Sequence, residues 1–328
     1  MIIRQAKEND FKNIFEFNAK MYPKKKIESQ HYLDFWFSKS SGELSNSILL
    51  IDDDNTLSGQ ILASSISYYF NSKVTKTVWL FDLIVDEKLR KEAWGIDLLL
   101  KCMEIHPQSL STGAGPSALP IHKKLGNSLL GEIRKYIGII NPWYIPFSIK
   151  RSPIPISKFP NSVKACHQEF TLIDINTIPK FTKPFNENLL EIARDQEFIK
   201  WRFFNRLHQY AFYMNRNKES YFVLRSIELK GIRIMEVVDY RCNSLETNFE
   251  SIYQAVAQVT KSVHLPIVIY GSSLSIIDKT LEKHNFKSIG RPRPILGFLK
   301  CNNWKTEIEN RNFAFITLAD SDGETNWI

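Results

Sequence analysis

The sequence predicts a mixed α/β fold in two halves, and three observations carry that expectation. Apolar strand-like runs alternate with amphipathic helical stretches from the first residues onward. A proline-dense stretch across residues 142–184 interrupts that alternation. Beyond it, the order of strands and helices repeats in outline. A chain of 328 residues is long for one ordinary domain and comfortable for two.

In the first half, residues 1–4 read as a strand, and Asn9-Asp10 caps a helix reaching about residue 20. A second helical stretch is expected around 28–39. Ser47–Asp52 is a strand closed by the polar turn Asp53-Asp54-Asn55, and Gly59–Phe70 alternates as the next strand of a meander. Residues 76–85 supply another strand and 94–106 a helix. A short strand ends at Gly113, and a helix near 117–125 stops at Gly126, a residue suited to the left-handed helix end.

After the prolines, a helical run from about 186 leads into Phe198–Arg206, whose aromatic residues and arginines read as a core-facing stripe. Trp201 and Arg202 are also candidates for lining an acceptor pocket. Three antiparallel strands follow, at 210–214, 220–225 and 232–239. A helix (247–262), a strand (266–270) and a helix (273–284) complete the half. The tail Ala319–Gly323 reads as a solvated turn, since it lacks the remaining ligands of a calcium loop.

Composition excludes several classes. With 43% hydrophobic and 24% charged residues, the chain is an ordinary globular protein. No apolar run reaches the roughly 18 residues of a membrane helix, and the immediate N-terminal strand leaves no room for a signal peptide. Four cysteines, at 102, 166, 242 and 301, show neither metal nor disulfide spacing, which predicts no metal site and a reducing cytoplasmic home. The formal charge of +8 favours anionic partners. The tight cationic run Lys24-Lys25-Lys26 reads as a solvated loop, and no nucleic-acid-binding signature accompanies it.

The stretch Trp79–Leu100 is the richest in chemistry. An apolar strand delivers a short charged turn onto a helix N-terminus, where free N–H groups and the helix dipole converge on one spot. Arg90 adds a cation at the loop entrance. The pattern Arg90-x-x-Ala93-x-Gly95 resembles the pyrophosphate loop of the GNAT acyltransferase superfamily, with Ala93 where that family has its first glycine. The order of elements over about 145 residues is also similar to a GNAT domain. The helix endings His122–Asn127 and Leu281–Phe286 compare with the Lys-x-Gly-Phe ending common in that family.

The resemblance implies two GNAT-like domains, each a mixed, mostly antiparallel twisted sheet flanked by helices. They would span residues 1–145 and 186–328, joined by a connector over 146–185. The second half lacks a matching loop, since Arg241–Leu245 has no glycine there, so the resemblance implies a degenerate copy that shapes an acceptor pocket. It implies acetyl-CoA or another acyl-CoA as cofactor. Backbone groups of Leu83, Ile84 and Val85 would hold the pantetheine, and the loop from Arg90 through Lys91, Glu92, Ala93, Trp94 and Gly95 to Ile96 would hold the pyrophosphate.

Acyl transfer to an amine requires a polarised thioester, a neutral nucleophile and protonation of the departing thiolate. His122 stands where many GNAT domains carry a proton-donating tyrosine. Asp82 would take the amine proton or fix the acceptor. A half-buried histidine and a loop-capping aspartate are the plainer readings of the two. The expected acceptor is a small-molecule amine, with an amino sugar or sugar nucleotide first in line by analogy. Two other functions stay open: a Fem-type transferase using aminoacyl-tRNA, which the positive charge would suit, and a non-catalytic acyl-CoA-binding protein.

Overall fold

The computed structural model describes residues 1–21, 48–53, 56–116, 118–204, 210–299 and 313–320. The helix expected at 28–39, the cationic run at 24–26 and Cys301 lie outside the described residues.

Four strands, β1 (Ile2–Gln5), β2 (Ile48–Asp53), β3 (Thr56–Phe70) and β4 (Lys73–Val85), form the antiparallel meander that the sequence predicts. Their two-residue period divides two cores. Ile48, Leu50, Leu62, Trp79 and Phe81 enter one, while Leu49, Ile51, Ile61, Ala63, Val78 and Leu80 enter the other. Helix α1 (Phe11–Met21) covers the first face with Ile14. It is entered through a 3₁₀ turn at Glu8–Asp10, where the Asp10 carboxylate accepts from Lys7 N at 2.6 Å. Helix α2 (Trp94–Ile105) covers the second face with Leu98, Leu99, Cys102 and Met103.

β5 (Gln108–Thr112) runs parallel to β4, then helix α3 (Leu119–Lys124) leads through Gly126, at φ +89°, into β6 (Ser128–Ile139). Past Asn141, a 3₁₀ turn at Pro142–Tyr144 and the one-turn helix α4 (Ile145–Ser148) open the proline-rich stretch. Its prolines stand at element boundaries, which leaves room for β7 (Ser162–Ala165) and β8 (Gln168–Leu172) to extend one edge of the sheet. The expected helical run from 186 is instead β9 (Leu190–Ile192), held between β3 and the late strand β15 (Ala314–Phe315). Helix α5 (Gln196–Phe203) starts only where the Asp195 carboxylate accepts from Phe198 N at 2.7 Å. Two neighbouring strands override the local helical preference here.

The rest of the chain supplies β10 (Ala211–Asn215), β11 (Ser220–Leu229), β12 (Ile232–Cys242), α6 (Leu245–Ser262), β13 (Ile267–Ser272), α7 (Ser275–Lys283) and β14 (Lys287–Leu299). Helices α6 and α7 pack Phe249, Ile252, Val256, Ile277 and Leu281 onto a third core. One continuous sheet results, in the order β1-β2-β3-β4-β5-β14-β6-β13-β12-β11-β10-β8-β7.

The centre of that order positions the site. β14 lies between β5 and β6, and β6 lies between β14 and β13, all antiparallel. Outward from this pair, β5 is parallel to β4 and β13 is parallel to β12. Strands from distant parts of the sequence therefore share the middle of the sheet.

Candidate active site

β4 and β5 pair from Val78↔Ser109 to Leu80↔Ser111 and then part. Just beyond, β4 carries a bulge: Gln60 faces Ile84 and Leu62 faces Phe81, so two residues, Asp82 and Leu83, oppose Ile61 alone. Asp82 takes φ +48°, a conformation that an aspartate tolerates better than most side chains. The bulge turns β4 away from β5, and the β4 edge over 82–85 has no β5 partner. A cavity of about 360 Å³ fills the opening. Asp82 and Leu83 line it from β4, Thr112 and Gly113 from the end of β5, His122 from α3, and Arg293 from β14.

His122 is 8% exposed, and its Nδ1 has no hydrogen-bond partner. Burial lowers its pKa from the ordinary histidine value, against a smaller opposing effect of Asn127. The imidazole is therefore neutral near pH 7, a state suited to accepting a proton first and returning it later.

The loop that follows β4 is built on Asp86, whose carboxylate accepts from Lys88 N at 3.2 Å and pairs with Lys20 at 2.7 Å. Exposed residues 90–93 then deliver the chain to α2. Ala93 caps that helix at φ −71° and ψ 5°, so its methyl group meets no backbone strain. Its carbonyl accepts from Ile96 N and Asp97 N at 2.8 and 3.0 Å. The N–H groups of Trp94 and Gly95 open the helix, where no carbonyl one turn earlier can receive them. With exposed Lys91 beside them, they form a point of attraction for an anion.

Arg90 stands exposed on the loop. Its Nε donates to Val85 O at 3.2 Å and its guanidinium lies 3.7 Å from Glu87, so the side chain folds back along the loop. Glu92 accepts from Trp94 Nε1 at 3.0 Å and steadies the same turn. Leu83 lines the cavity, while Ile84 is buried behind it.

The structure thus brings Asp82, Leu83 and His122 to one cavity and sets Arg90–Ala93 in the loop after the strand that lines it, with Trp94–Ile96 as the first turn of α2. Two contributors escaped the sequence reading. Gly113, at φ +83°, donates its N–H to Pro294 O at 3.1 Å and shapes the cavity floor. Arg293 comes from β14, and only strand pairing across the chain brings it here; nothing local in Arg-Pro-Arg-Pro signals it. A second groove, of about 720 Å³, adjoins the first through Gly113–Gly115 and Arg293. Its far wall is formed by Leu229 and Lys230, at the turn between β11 and β12.

The other strand divergence is closed. β12 and β13 pair up to Val237↔Tyr270, and β12 also carries a bulge, with Val223 facing Asp239 and Leu224 facing Val237. Residues 313–320 fill the space that follows. Ser273 Oγ donates to Ala314 O at 2.8 Å and accepts from Ile316 N at 2.9 Å. Arg194 and Arg241 reach Asp239 at 2.9 and 2.6 Å, and Asp320 pairs with Arg194, all of them buried. Burial alone would raise the Asp239 carboxyl, but the two arginines outweigh it and hold it at about 2. The tail expected as a solvated turn therefore begins as a buried one. Arg202 is buried too, donating to Ala319 O at 2.8 Å and Tyr210 Oη at 3.0 Å, so it and not solvent receives this end of the chain. Trp201 packs against the same core.

No protein-family model matches the sequence, and no curated protein matches it. Solved structures do resemble it. A GCN5-related N-acetyltransferase from Anabaena variabilis is similar over 90% of this chain and 72% of its own, at TM-score 0.59 and 10% identity. An Enterococcus faecalis protein described as a probable N-acyltransferase gives TM-score 0.56 and 12% identity, covering 90% of this chain and 71% of its own. N-myristoyltransferase from Saccharomyces cerevisiae, solved with bound myristoyl-CoA, gives 0.55 and 12%, covering 90% and 82%. The fold of this chain is thus the one shared by GCN5-related N-acetyltransferases and N-myristoyltransferase, a large and mostly antiparallel sheet flanked by helices.

Proposed function

We propose that this chain is an acyl-CoA-dependent N-acyltransferase with one cofactor site, in its first half. The observation that carries the proposal is the open divergence of β4 and β5, with a bulge at Asp82, a neutral buried His122 and a free helix N-terminus one loop away. Within the 91–96 segment, a pyrophosphate suits the open N–H groups of Trp94 and Gly95 with Lys91 beside them, and a pantetheine arm suits the β4 edge at Leu83–Val85 that β5 leaves. The thioester then reaches the cavity, and the adjoining groove offers an approach for the amine.

In the reaction the amine nitrogen attacks the thioester carbonyl, a C–N bond forms and the C–S bond breaks. His122 accepts the proton that the amine loses and returns it to the departing thiolate. Asp82 holds the acceptor beside the carbonyl. The likeness to acyltransferase structures supports the reaction class, while the residue roles rest on the cavity geometry. We read residues 1–145 and 186–328 as two GNAT-like halves joined through 146–185, the second without a cofactor. Amino sugars and sugar nucleotides are the first acceptors to assay.

Calorimetry with acetyl-CoA and myristoyl-CoA, followed by thiol release with a panel of amines, tests the reading. Binding and amine-dependent thiol release are expected. Absence of binding for both cofactors would overturn it, and binding without release for any amine would leave a cofactor-binding protein.

A further inference from the structure

Ten large hydrophobic side chains are well exposed among the described residues, and four of them, Ile139, Trp143, Phe147 and Ile149, fall within eleven residues. Trp143 is 82% exposed and Phe147 68%. They stand four apart, so one side of the short turn and α4 presents both rings, while Ser148 faces inward, fully buried.

This ridge is held firmly. Ile140 N and Asn141 N both donate to Pro266 O, at 2.8 and 3.1 Å, and Asn141 Oδ1 accepts from Trp143 N at 3.3 Å. Lys150 N donates to Gly231 O at 2.8 Å, and the Tyr144 ring meets His264 edge-on at 4.8 Å. Pro142 and Pro146 fix φ at two more points. The anchoring holds the rings where they are, displayed to water, an arrangement that favours a partner.

The charge around the ridge defines that partner. Lys150 and Arg151 follow it directly and are exposed, and Lys230 is exposed on the turn that Lys150 N bonds. Arg151 lies near enough to Arg233 that, after burial, its charge is a further cause of the lowered Arg233 pKa. Glu228, paired in register with Arg233, is the acidic residue of that hairpin end. An aromatic ridge with Lys150, Arg151 and Lys230 exposed around it departs from the centre of a protein interface, which is depleted in lysine. It matches the interfacial zone of an anionic bilayer, where tryptophan and phenylalanine enter among headgroups and lysine and arginine rest on phosphates.

We propose that residues 139–151 form a peripheral docking surface for an anionic membrane. Trp143 and Phe147 enter the interface, and Lys150 and Arg151 contact lipid phosphates. Lys230 links this surface to the groove beside the cavity, so docking sets the mouth of that groove at the bilayer.

Co-sedimentation of the full chain with vesicles of phosphatidylcholine, with and without roughly one-third phosphatidylserine, tests the proposal independently of any acyltransferase assay. Binding to the anionic vesicles is expected, with weaker binding to the neutral ones. The pair Trp143→Ala with Phe147→Ala should weaken binding about tenfold or more, and Lys150→Glu with Arg151→Glu should abolish the preference for anionic lipid. Unchanged thermal melting of these surface variants verifies their folding. No binding by the unaltered chain, or binding that neither pair of changes affects, would overturn the proposal. So would self-association in sedimentation velocity that Trp143→Ala with Phe147→Ala removes, because the ridge would then belong to a second copy.

Discussion

Thr317 donates its hydroxyl to Asp239 at 2.7 Å, joining residues far apart in the chain across the divergence of β12 and β13. The matching divergence of β4 and β5 holds a cavity instead. Leu318 completes the closure by lying over Gly271, where an added Cβ would stand 2.5 Å from its side chain. Among the described residues, one of the two strand divergences is open, which predicts one acyl-CoA per chain. Isothermal calorimetry should give a stoichiometry of about one, and a second site of comparable affinity would show that residues 313–320 leave the other cleft.

Acid should unfold the chain partly through Asp239. Its carboxyl is held at about 2 in the fold, below the unfolded value of about 3.9, so its contribution is complete above that value and is lost as pH falls through the folded one. That contribution is roughly 2–3 kcal/mol. Glu191 acts in the opposite sense, because burial raises its carboxyl and protonation favours the fold. Urea melts across the acid range should therefore show the Asp239 loss below about pH 4. Asp239→Asn should cost about 3–5 kcal/mol at neutral pH by removing the carboxylate that buried Arg194 and Arg241 share, leaving Asp320 and Glu191 to balance both, and should flatten the acid slope.

His122→Ala should reduce turnover about 10²- to 10⁴-fold while leaving acyl-CoA affinity nearly unchanged, since the imidazole lines the cavity and lies outside the pyrophosphate loop. The working form is the neutral imidazole. Because burial lowers its pKa from 6.5, the acidic limb of the kcat profile should fall below that value. A limb above 6.5, or full turnover in the variant, would assign the proton transfers to another group.

Much of this site was legible because its parts are local. Strand, loop and helix over Trp79–Leu100 follow from the local sequence, and the alternation over Gly59–Phe70 marks a strand of the meander, while the continuous apolar run of β2 reflects burial on both faces. Ala93 needed the structure, because its tolerance depends on a sign of φ that composition does not encode. Arg293 was hidden for a different reason. β6 follows α3 and β14 follows α7 with the same local pattern, whether each strand closes on its own half or crosses to the other. Only the pairing at the sheet centre, which is long-range, delivers Arg293 to the cavity. Ala319–Gly323 taken alone reads as solvated, whereas the largely apolar run Phe313–Leu318 ahead of it holds the signal for the burial of Ala319 and Asp320.

The seam where these strands cross makes the last prediction. Gly138 of β6 lies against the Phe286 ring, and an added Cβ would stand 2.4 Å from it, closer than real contacts allow. Phe286 is 4% exposed and sits between α7 and β14, its N–H donating to Leu281 O at 3.0 Å, so the ring has little room to retreat. Gly138→Ala should therefore overpack the centre of the sheet and cost about 1–3 kcal/mol in denaturant melts. Phe286→Leu leaves a smaller void alone and makes space for the methyl group. The double variant should be more stable than the sum of the single changes predicts, by about 0.5 kcal/mol or more. Strict additivity would mean that the ring and the β6 backbone do not press on one another, and that the crossing is held by its strand pairing alone.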